Sequence, residues 1–160
     1  MPLKKGDKVP AATVLSGTLE AKNVADLGKG KKRVYLFFPA AFTGVCEKEM
    51  CNFRDNIARY NGIGAEVYGL SVDMPFSQKM FAEKNGLTFP LFSDFNKQAI
   101  KAFDVVFPDL KGLKEVAARS VFVADESDQI TWAWKGDTPA QEPPYDQVFQ
   151  AVQGATVGVA

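Results

Sequence analysis

Two apolar runs separated by an amphipathic stretch constrain the fold more than any other feature of this sequence. The first run, Val34–Phe38, is wholly apolar and rich in β-forming residues, which is typical of a strand buried on both faces. After Pro39, apolar side chains recur at helical spacing as far as Tyr60. The segment from Glu66 to Val72 indicates a second buried strand. Together these segments predict a strand–helix–strand unit.

The rest of the chain continues this alternation. Helices are expected near residues 76–84, 97–103 and 145–152, and strands near 87–92, 120–124 and 129–134, the last two forming a hairpin. This order predicts an α/β fold with a mixed central sheet flanked by helices. The length of 160 residues fits one core, and no repeat or linker is visible, so a single domain over residues 1–160 is expected.

Composition excludes several classes of chemistry. The chain contains no histidine, which rules out Ser-His-Asp and Cys-His nucleophile pairs and zinc sites with imidazole ligands. Its 19 basic and 19 acidic residues balance, which argues against a nucleic-acid partner. Neither a metal nor a cofactor is expected, because two cysteines alone would leave zinc short of two ligands.

The two cysteines also bear on location. A pair in a chain of this size is not a disulfide framework. The amino terminus is too polar for a signal peptide, and no apolar run approaches the ~18 residues that span a bilayer. We therefore expect a cytoplasmic protein with no membrane partner, in which the cysteines have a chemical role.

The segment Phe37–Cys51 contains the residues that indicate a reactive site. A buried strand ends at Phe38, Pro39 turns the chain, and Thr43 is a candidate helix N-cap. Cys46 would then be the third helical residue, near unpaired backbone amides and the positive end of the helix dipole.

A helix end alone does not ionise a thiol. A free thiol has a pKa of about 8.5, a helix end contributes only about 0.3–1 kcal/mol, and a nearby cation lowers a pKa by about one to three units. Without histidine, the cation must be lysine or arginine. Lys48 projects well round the helix from Cys46, whereas Arg119 immediately precedes a predicted strand, so Arg119 is the expected partner.

These residues resemble the active-site motif of the peroxiredoxins, the AhpC/TSA group of thioredoxin-fold peroxidases. The motif is Pro39-x-x-x-Thr43-x-x-Cys46, and the similarity continues through 86–94 and 119–125. The matching residues around the motif are Phe42, Val45 and Glu49. The resemblance spans roughly residues 5–154 and is strongest to the AhpE-type and PrxQ/Bcp-type members.

The resemblance implies a thioredoxin-like fold and a thiol-dependent peroxidase acting on hydrogen peroxide and alkyl hydroperoxides. Cys46 would be the peroxidatic cysteine, which becomes a sulfenic acid. Thr43 would hydrogen-bond the peroxide, and Arg119 would hold the thiolate and the departing oxygen. Pro39 would shield the sulfur from water, and Glu49 would orient the arginine, although solvated helix surface is the alternative for Glu49.

Cys51 stands at the spacing that PrxQ/Bcp-type proteins use for their resolving cysteine, whereas AhpE-type proteins lack a cysteine there. On a helix this spacing puts the Cα atoms about 8–9 Å apart on different faces, so a Cys46–Cys51 disulfide requires the helix to unwind. The expected cycle then forms this disulfide and is recycled by a thioredoxin- or glutaredoxin-like reductant. A one-cysteine peroxiredoxin with Cys51 as a bystander is the alternative.

A peroxide sensor or redox relay would use the same Cys46 without fast turnover. A disulfide reductase is disfavoured, because that chemistry uses Cys-x-x-Cys spacing. The chain is expected to act as a monomer or a homodimer.

Overall fold

The computed structural model describes residues 2–154. Four α-helices are present in this range: α1 (Gly44–Gly62), α2 (Pro75–Asn85), α3 (Gln98–Ala102) and α4 (Tyr145–Gln153). The strands are β1 (Thr13–Leu15), β2 (Ala21–Asn23), β3 (Lys32–Phe37), β4 (Ala65–Ser71), β5 (Leu91–Ser93), β6 (Val106–Leu110), β7 (Leu113–Ala117), β8 (Ser120–Ala124) and β9 (Ile130–Lys135). No helix within residues 2–154 combines the length and the apolar character needed to cross a membrane.

A seven-stranded mixed sheet lies at the centre, in the order β2-β1-β5-β4-β3-β8-β9. Strand β3 is parallel to β4 and antiparallel to β8. Its alternate side chains fill two cores. Phe37 packs against Phe103 and Phe122 on one face, whereas Leu36 faces the cluster that contains Met50 of α1. The expected mixed sheet flanked by helices is confirmed.

The register of β3 and β8 positions the functional site. Phe37 at the end of β3 pairs with Ser120 at the start of β8. Because these strands run antiparallel, the residue before Ser120 lies beside the residues that follow Phe37. Arg119 is therefore brought next to the loop that contains Pro39, from 80 residues further along the chain.

Several elements differ from the sequence-based expectation. Strands β1 and β2 were not predicted, and neither was the separate two-stranded sheet of β6 and β7. Pro108 lies inside β6, and proline is uncommon in strands except at edges, so the pattern there is weak. The hairpin turns at Lys111 and Gly112, both with left-handed φ, which suits a two-residue turn. Strand β5 begins at Leu91 rather than at residue 87, directly after Pro90.

Candidate active site

The loop between β3 and α1 is held by hydrogen bonds to the end of β4. The Phe38 amide donates to the Leu70 carbonyl over 3.0 Å. The Ala41 amide donates to Asp73 Oδ2 over 2.8 Å, and the Ser71 hydroxyl donates to the same oxygen over 2.6 Å. Sequence reasoning missed Asp73. Its position just after a buried strand was a usable signal, because sites in α/β folds lie beyond the carboxyl ends of strands.

Thr43 occupies the N-cap position of α1, but its side chain does not cap the helix. Its hydroxyl instead donates to the Ala40 carbonyl over 2.9 Å, so the expected capping bond is wrong. The reason is local: the extended backbone of Thr43 (φ −96°, ψ 150°) and the turn before it bring the Ala40 carbonyl within reach. The amides of the first helical turn therefore have no side-chain acceptor from their own cap.

Cys46 is the third residue of α1 and is fully buried. The Arg119 guanidinium lies directly against it, with Nη2 donating to Cys46 Sγ over 3.1 Å. The expected pairing of these two side chains is thus present in the structure. Lys48, the other cation considered, is exposed and lies 3.9 Å from Glu142 at the surface.

Arg119 is itself almost fully buried, at 2% exposure. Its Nη1 donates to Glu49 Oε1 over 2.6 Å, and its Nε donates to the Pro139 carbonyl over 2.9 Å. Burial by itself would lower the pKa of Arg119, but the Glu49 carboxylate and the Cys46 sulfur outweigh burial and raise it. The guanidinium therefore stays charged and is fixed from three directions. The sequence did not predict the hydrogen bond to the Pro139 carbonyl, because every residue has a backbone carbonyl and the residue type therefore does not mark this acceptor.

Glu49 is fully buried beneath Arg119, so the alternative of a solvated surface residue is wrong. Burial raises its pKa to about 7, because desolvation outweighs the opposing attraction of Arg119. Its second oxygen, Oε2, has no hydrogen-bond partner among the described residues. The carboxyl group thus titrates close to neutrality while in contact with the guanidinium.

A pocket of about 530 Å³ borders this cluster at Arg119, whereas the buried side chains of Cys46 and Glu49 are not among its lining residues. Its lining is mostly apolar and comes from the β3–α1 loop and the start of α1, the β6–β7 hairpin, the residue before β8 and the segment after β9. The lining residues are Pro39, Thr43, Gly44, Val45, Leu110, Lys111, Leu113, Arg119, Thr138, Pro139 and Ala140. Two of the predicted site residues, Pro39 and Thr43, therefore share one pocket with Arg119.

Cys51 lies apart from this cluster. It is half-buried near the end of α2, where its thiol donates to Asn85 Oδ1 over 3.7 Å. Cys46 and Cys51 are both free thiols on the unbroken helix α1, whose geometry separates their Cα atoms by about 8–9 Å. Within residues 2–154, no group of three or more cysteine, aspartate and glutamate side chains is arranged to hold a metal ion.

Comparison with known proteins identifies the family. Residues 5–133 match the model of the AhpC/TSA family. The chain belongs to the AhpC/TSA family. It is 33% identical to a thiol peroxidase of Bacillus subtilis over 153 residues, covering 94% of this chain and 87% of that protein. It is 37% identical to alkyl hydroperoxide reductase E of Mycobacterium bovis over 107 residues, covering 66% of this chain and 68% of that protein.

The crystal structure of peroxidoxin BcpB from Mycobacterium tuberculosis superposes with a TM-score of 0.82 at 26% sequence identity, covering 94% of this chain and 97% of that one. These relatives confirm the resemblance to peroxiredoxins of the AhpE and Bcp type. The chain is therefore an oxidoreductase of the peroxiredoxin class, which reduces peroxides with a thiol.

Proposed function

We propose that Cys46 is the peroxidatic residue of this peroxiredoxin. Its thiolate attacks the terminal oxygen of the hydroperoxide, the O–O bond breaks, and sulfur loses two electrons to the peroxide. Cys46 becomes a sulfenic acid, and the departing oxygen takes a proton and leaves as water or an alcohol. The 3.1 Å contact between Arg119 Nη2 and Cys46 Sγ carries this proposal, because it holds a cation against the sulfur in a histidine-free protein.

The groups around the sulfur suit the charge that moves during this step. A guanidinium has five N–H bonds, and Arg119 donates three hydrogen bonds to Cys46, Glu49 and Pro139, which leaves two N–H bonds for the peroxide oxygens. The Thr43 hydroxyl, whose proton is directed at Ala40, can accept a hydrogen bond from the peroxide O–H. Preorganised donors of this kind stabilise developing charge.

Pro39 and Glu49 act through their neighbours. Pro39 is buried in the wall of the pocket, where it keeps water from the sulfur. Glu49 accepts a 2.6 Å hydrogen bond from Arg119 on the side away from the substrate, which makes it a positioning residue for the guanidinium. Neither side chain needs to touch the peroxide.

Cys51 is proposed to resolve the sulfenic acid. Its thiol would attack Cys46 sulfur to give a disulfide and release water, after which a thioredoxin- or glutaredoxin-like dithiol would reduce the disulfide. The first turns of α1 must unwind for this step, because the helix holds the two sulfurs apart. The buried hydrogen bond from Arg119 to Cys46 also holds this end of the helix, whereas the more exposed Glu47–Lys84 pair, at 3.2 Å, contributes little to stability.

We further propose that the protein works in the cytoplasm as a monomer or a homodimer. Its two free thiols support a reducing compartment, since the proposed cycle depends on a dithiol reductant.

Loss of the sulfur is the direct test of the proposed chemistry. Cys46→Ser should lower the rate of hydrogen peroxide consumption with a dithiol reductant at least about 1,000-fold, because a serine hydroxyl cannot supply a thiolate. Cys51→Ser is the matched control, and its first turnover should proceed at the wild-type rate. If Cys46→Ser consumed hydrogen peroxide at the wild-type rate while keeping the wild-type melting temperature, the proposal would be wrong.

The role of Cys51 is tested by intact mass after one equivalent of peroxide. Wild type should lose two hydrogens, which marks a disulfide, whereas Cys51→Ser should gain one oxygen, which marks a stable sulfenic acid. A gain of oxygen in both proteins would make Cys51 a bystander and the enzyme a one-cysteine peroxiredoxin.

A further inference from the structure

The peptide unit between Ala40 and Ala41 connects Asp73 to Thr43. Its N–H belongs to Ala41 and donates to Asp73 Oδ2 over 2.8 Å. Its carbonyl belongs to Ala40 and accepts a 2.9 Å hydrogen bond from the Thr43 hydroxyl. Because a peptide unit is planar, a group that fixes the direction of its N–H also fixes the direction of its carbonyl. The orientation of the Thr43 hydroxyl is therefore tied to Asp73, which lies 30 residues further along the chain.

Asp73 is itself held by three buried side chains. The Ser71 hydroxyl donates to the same carboxylate oxygen over 2.6 Å. The Ser71 oxygen accepts from Gln78 Nε2 over 2.9 Å, so its proton is directed at the carboxylate. The Ser93 hydroxyl donates to the backbone carbonyl of Asp73. Because Ser71, Gln78 and Ser93 are at most 2% exposed, the Asp73 carboxylate is a fixed acceptor rather than a mobile surface group.

The turn that Asp73 holds is one that its residues do not adopt freely. Phe42 has a left-handed φ of 65°, which is disfavoured for a bulky side chain. Its ring packs edge-on against Phe81 of α2, with 5.3 Å between the ring centroids. Such a backbone conformation persists only where the surrounding structure fixes it. The Ala41–Asp73 hydrogen bond and the contact between the two rings together fix this turn.

The direction of the Thr43 proton decides what this side chain offers to a peroxide in the pocket that it lines. A hydroxyl has one proton and two lone pairs. While the proton is committed to the Ala40 carbonyl, Thr43 offers a lone pair, which suits the O–H of a hydroperoxide. If the carbonyl were free to turn away, the proton would be free to rotate into the pocket, and Thr43 would no longer be a dedicated acceptor.

We propose that Asp73 is a positioning residue for the peroxidase reaction. It acts through the peptide unit between Ala40 and Ala41 on the Thr43 hydroxyl. Asp73 is not among the described residues that line the pocket, so it acts without contacting the peroxide. It neither gives nor takes a proton, and the electron transfer at sulfur and its products are unchanged. The inference rests on the proposed function of Cys46 and adds the residue that keeps Thr43 ready to accept.

The test compares two single-turnover reactions of Cys46, its oxidation by hydrogen peroxide and its alkylation by iodoacetamide, with no reductant present. Both reactions need the thiolate, but only the peroxide has an O–H for Thr43 to accept. Asp73→Ala should slow oxidation about 10- to 100-fold, which is the scale of loss when a group that orients the substrate is misplaced. Its alkylation rate should not fall, because the contact between Arg119 and the sulfur is left in place.

A double-mutant cycle with Thr43→Val shows whether Asp73 acts through the Thr43 hydroxyl. Thr43→Val removes the hydroxyl and keeps the shape of the side chain. In this background, Asp73→Ala should slow oxidation less than about two-fold further, because the group that it positions is already gone. A general loosening of the loop would instead multiply the two losses.

Asp73→Asn is the conservative variant. Its side chain keeps an oxygen that accepts from the Ala41 amide, but a neutral acceptor is weaker than a carboxylate. Its oxidation rate should therefore recover to within about five-fold of the wild-type rate.

Asp125→Ala is the matched control for the loss of a carboxylate that holds a turn. Asp125 Oδ1 accepts from the Ser127 amide over 2.8 Å and from the Gln129 amide over 3.1 Å, in the turn between β8 and β9. This turn is at the end of β8 that is remote from Arg119. Folded Asp125→Ala should be oxidised at the wild-type rate, and thermal melts of all the variants measure how much of each is folded.

The results distinguish this inference from the proposed role of Cys46. Oxidation of folded Asp73→Ala within about two-fold of the wild-type rate would overturn the inference. Equal losses of oxidation and alkylation would overturn it too, as would multiplied losses in the double variant. If Asp73→Ala melts below the assay temperature, Asp73→Asn replaces it in the cycle, and its smaller loss must also disappear in Thr43→Val. Peroxide consumption by Cys46→Ser at the wild-type rate would instead overturn the role of Cys46.

Discussion

Two buried arginines lie at opposite ends of the same pair of strands, and their hydrogen-bonding environments differ. Arg33 is in β3, where it pairs with Ala124 at the end of β8. Arg119 precedes the start of β8, at the other end of that ladder. The two side chains are 0% and 2% exposed. Burial and charge alone therefore do not distinguish a structural arginine from one at a reactive site.

The difference lies in how many donors are engaged. Arg33 forms five hydrogen bonds to groups that surround it on all sides. Its acceptors are the carbonyls of Leu27, Lys31 and Asp125, the Tyr35 hydroxyl and the Asp128 carboxylate. Arg119 forms three, and it lines an open pocket. A saturated guanidinium stabilises the fold, whereas a partly saturated one keeps donors for a ligand.

The largest effect that this comparison predicts is on catalysis. Arg119→Met should lower the rate of Cys46 oxidation by hydrogen peroxide about 100- to 1,000-fold, which is the usual consequence of removing a preorganised donor. The fold should survive, because Glu49 can hold a proton once its cation is gone. Stopped-flow kinetics measure the rate of Cys46 oxidation, and a thermal melt measures the stability of the fold. A rate within ten-fold of wild type would remove the distinction between the two arginines.

Arg33→Met should show the opposite pattern. It should reduce the free energy of unfolding by about 2–4 kcal/mol, since buried carbonyls and the Asp128 carboxylate lose their donor. The oxidation rate per folded molecule should not change. Urea denaturation measures the free energy of unfolding. Lys31→Met is the control for an exposed ion pair, and it should lower the free energy of unfolding by less than about 1 kcal/mol. A slower oxidation rate in folded Arg33→Met would contradict a purely structural role.

The pH dependence of stability sharpens the comparison at Glu49. The folded-state pKa of Glu49 is raised from its ordinary value of 4.5 to about 7, so the folded state binds more protons than the unfolded state between these values. The stabilisation from this group is therefore complete below pH 4.5 and is lost as the pH rises towards 7. In Glu49→Gln, the part of the fall in stability between pH 4.5 and 7 that comes from Glu49 should be absent. Burial also raises the pKa of Asp94, but Asp94 is present in both wild type and Glu49→Gln. The difference between their curves of stability against pH therefore reports on Glu49 alone.

Urea denaturation of wild type and Glu49→Gln across this pH range provides the measurement. Identical slopes for the two proteins would mean that Glu49 keeps an ordinary pKa beside Arg119, and that the ion pair outweighs burial.

The smallest effect is expected at Lys48, the cation nearest to Cys46 in sequence. Its side chain is 73% exposed and 3.9 Å from Glu142. Lys48→Met should change the oxidation rate less than about two-fold and the free energy of unfolding by less than about 0.5 kcal/mol. A larger loss of rate would show that Arg119 is not the sole cation acting on the sulfur.

Much of the fold followed from local pattern. The long periodic stretch of α1 and the apolar runs of β3, β4 and β8 were predictable, because burial on both faces leaves a continuous apolar signature. The short strands β1, β2 and the β6–β7 hairpin were not. They are three to five residues long, mostly exposed or half-buried, and so carry little periodic signal. The hairpin wall of the pocket was missed for the same reason.

The sequence by itself determined the local setting of Cys46: a strand, a proline turn and a helix that places this cysteine in its first turn, with no imidazole in the chain. These are relations between residues a few positions apart, which backbone geometry fixes locally. Only the tertiary structure decided that Arg119 reaches the sulfur, that Glu49 is buried beneath it and that Lys111 borders the pocket. Those contacts join residues up to 73 positions apart, and they depend on the register of β3 and β8 and on how the hairpin packs.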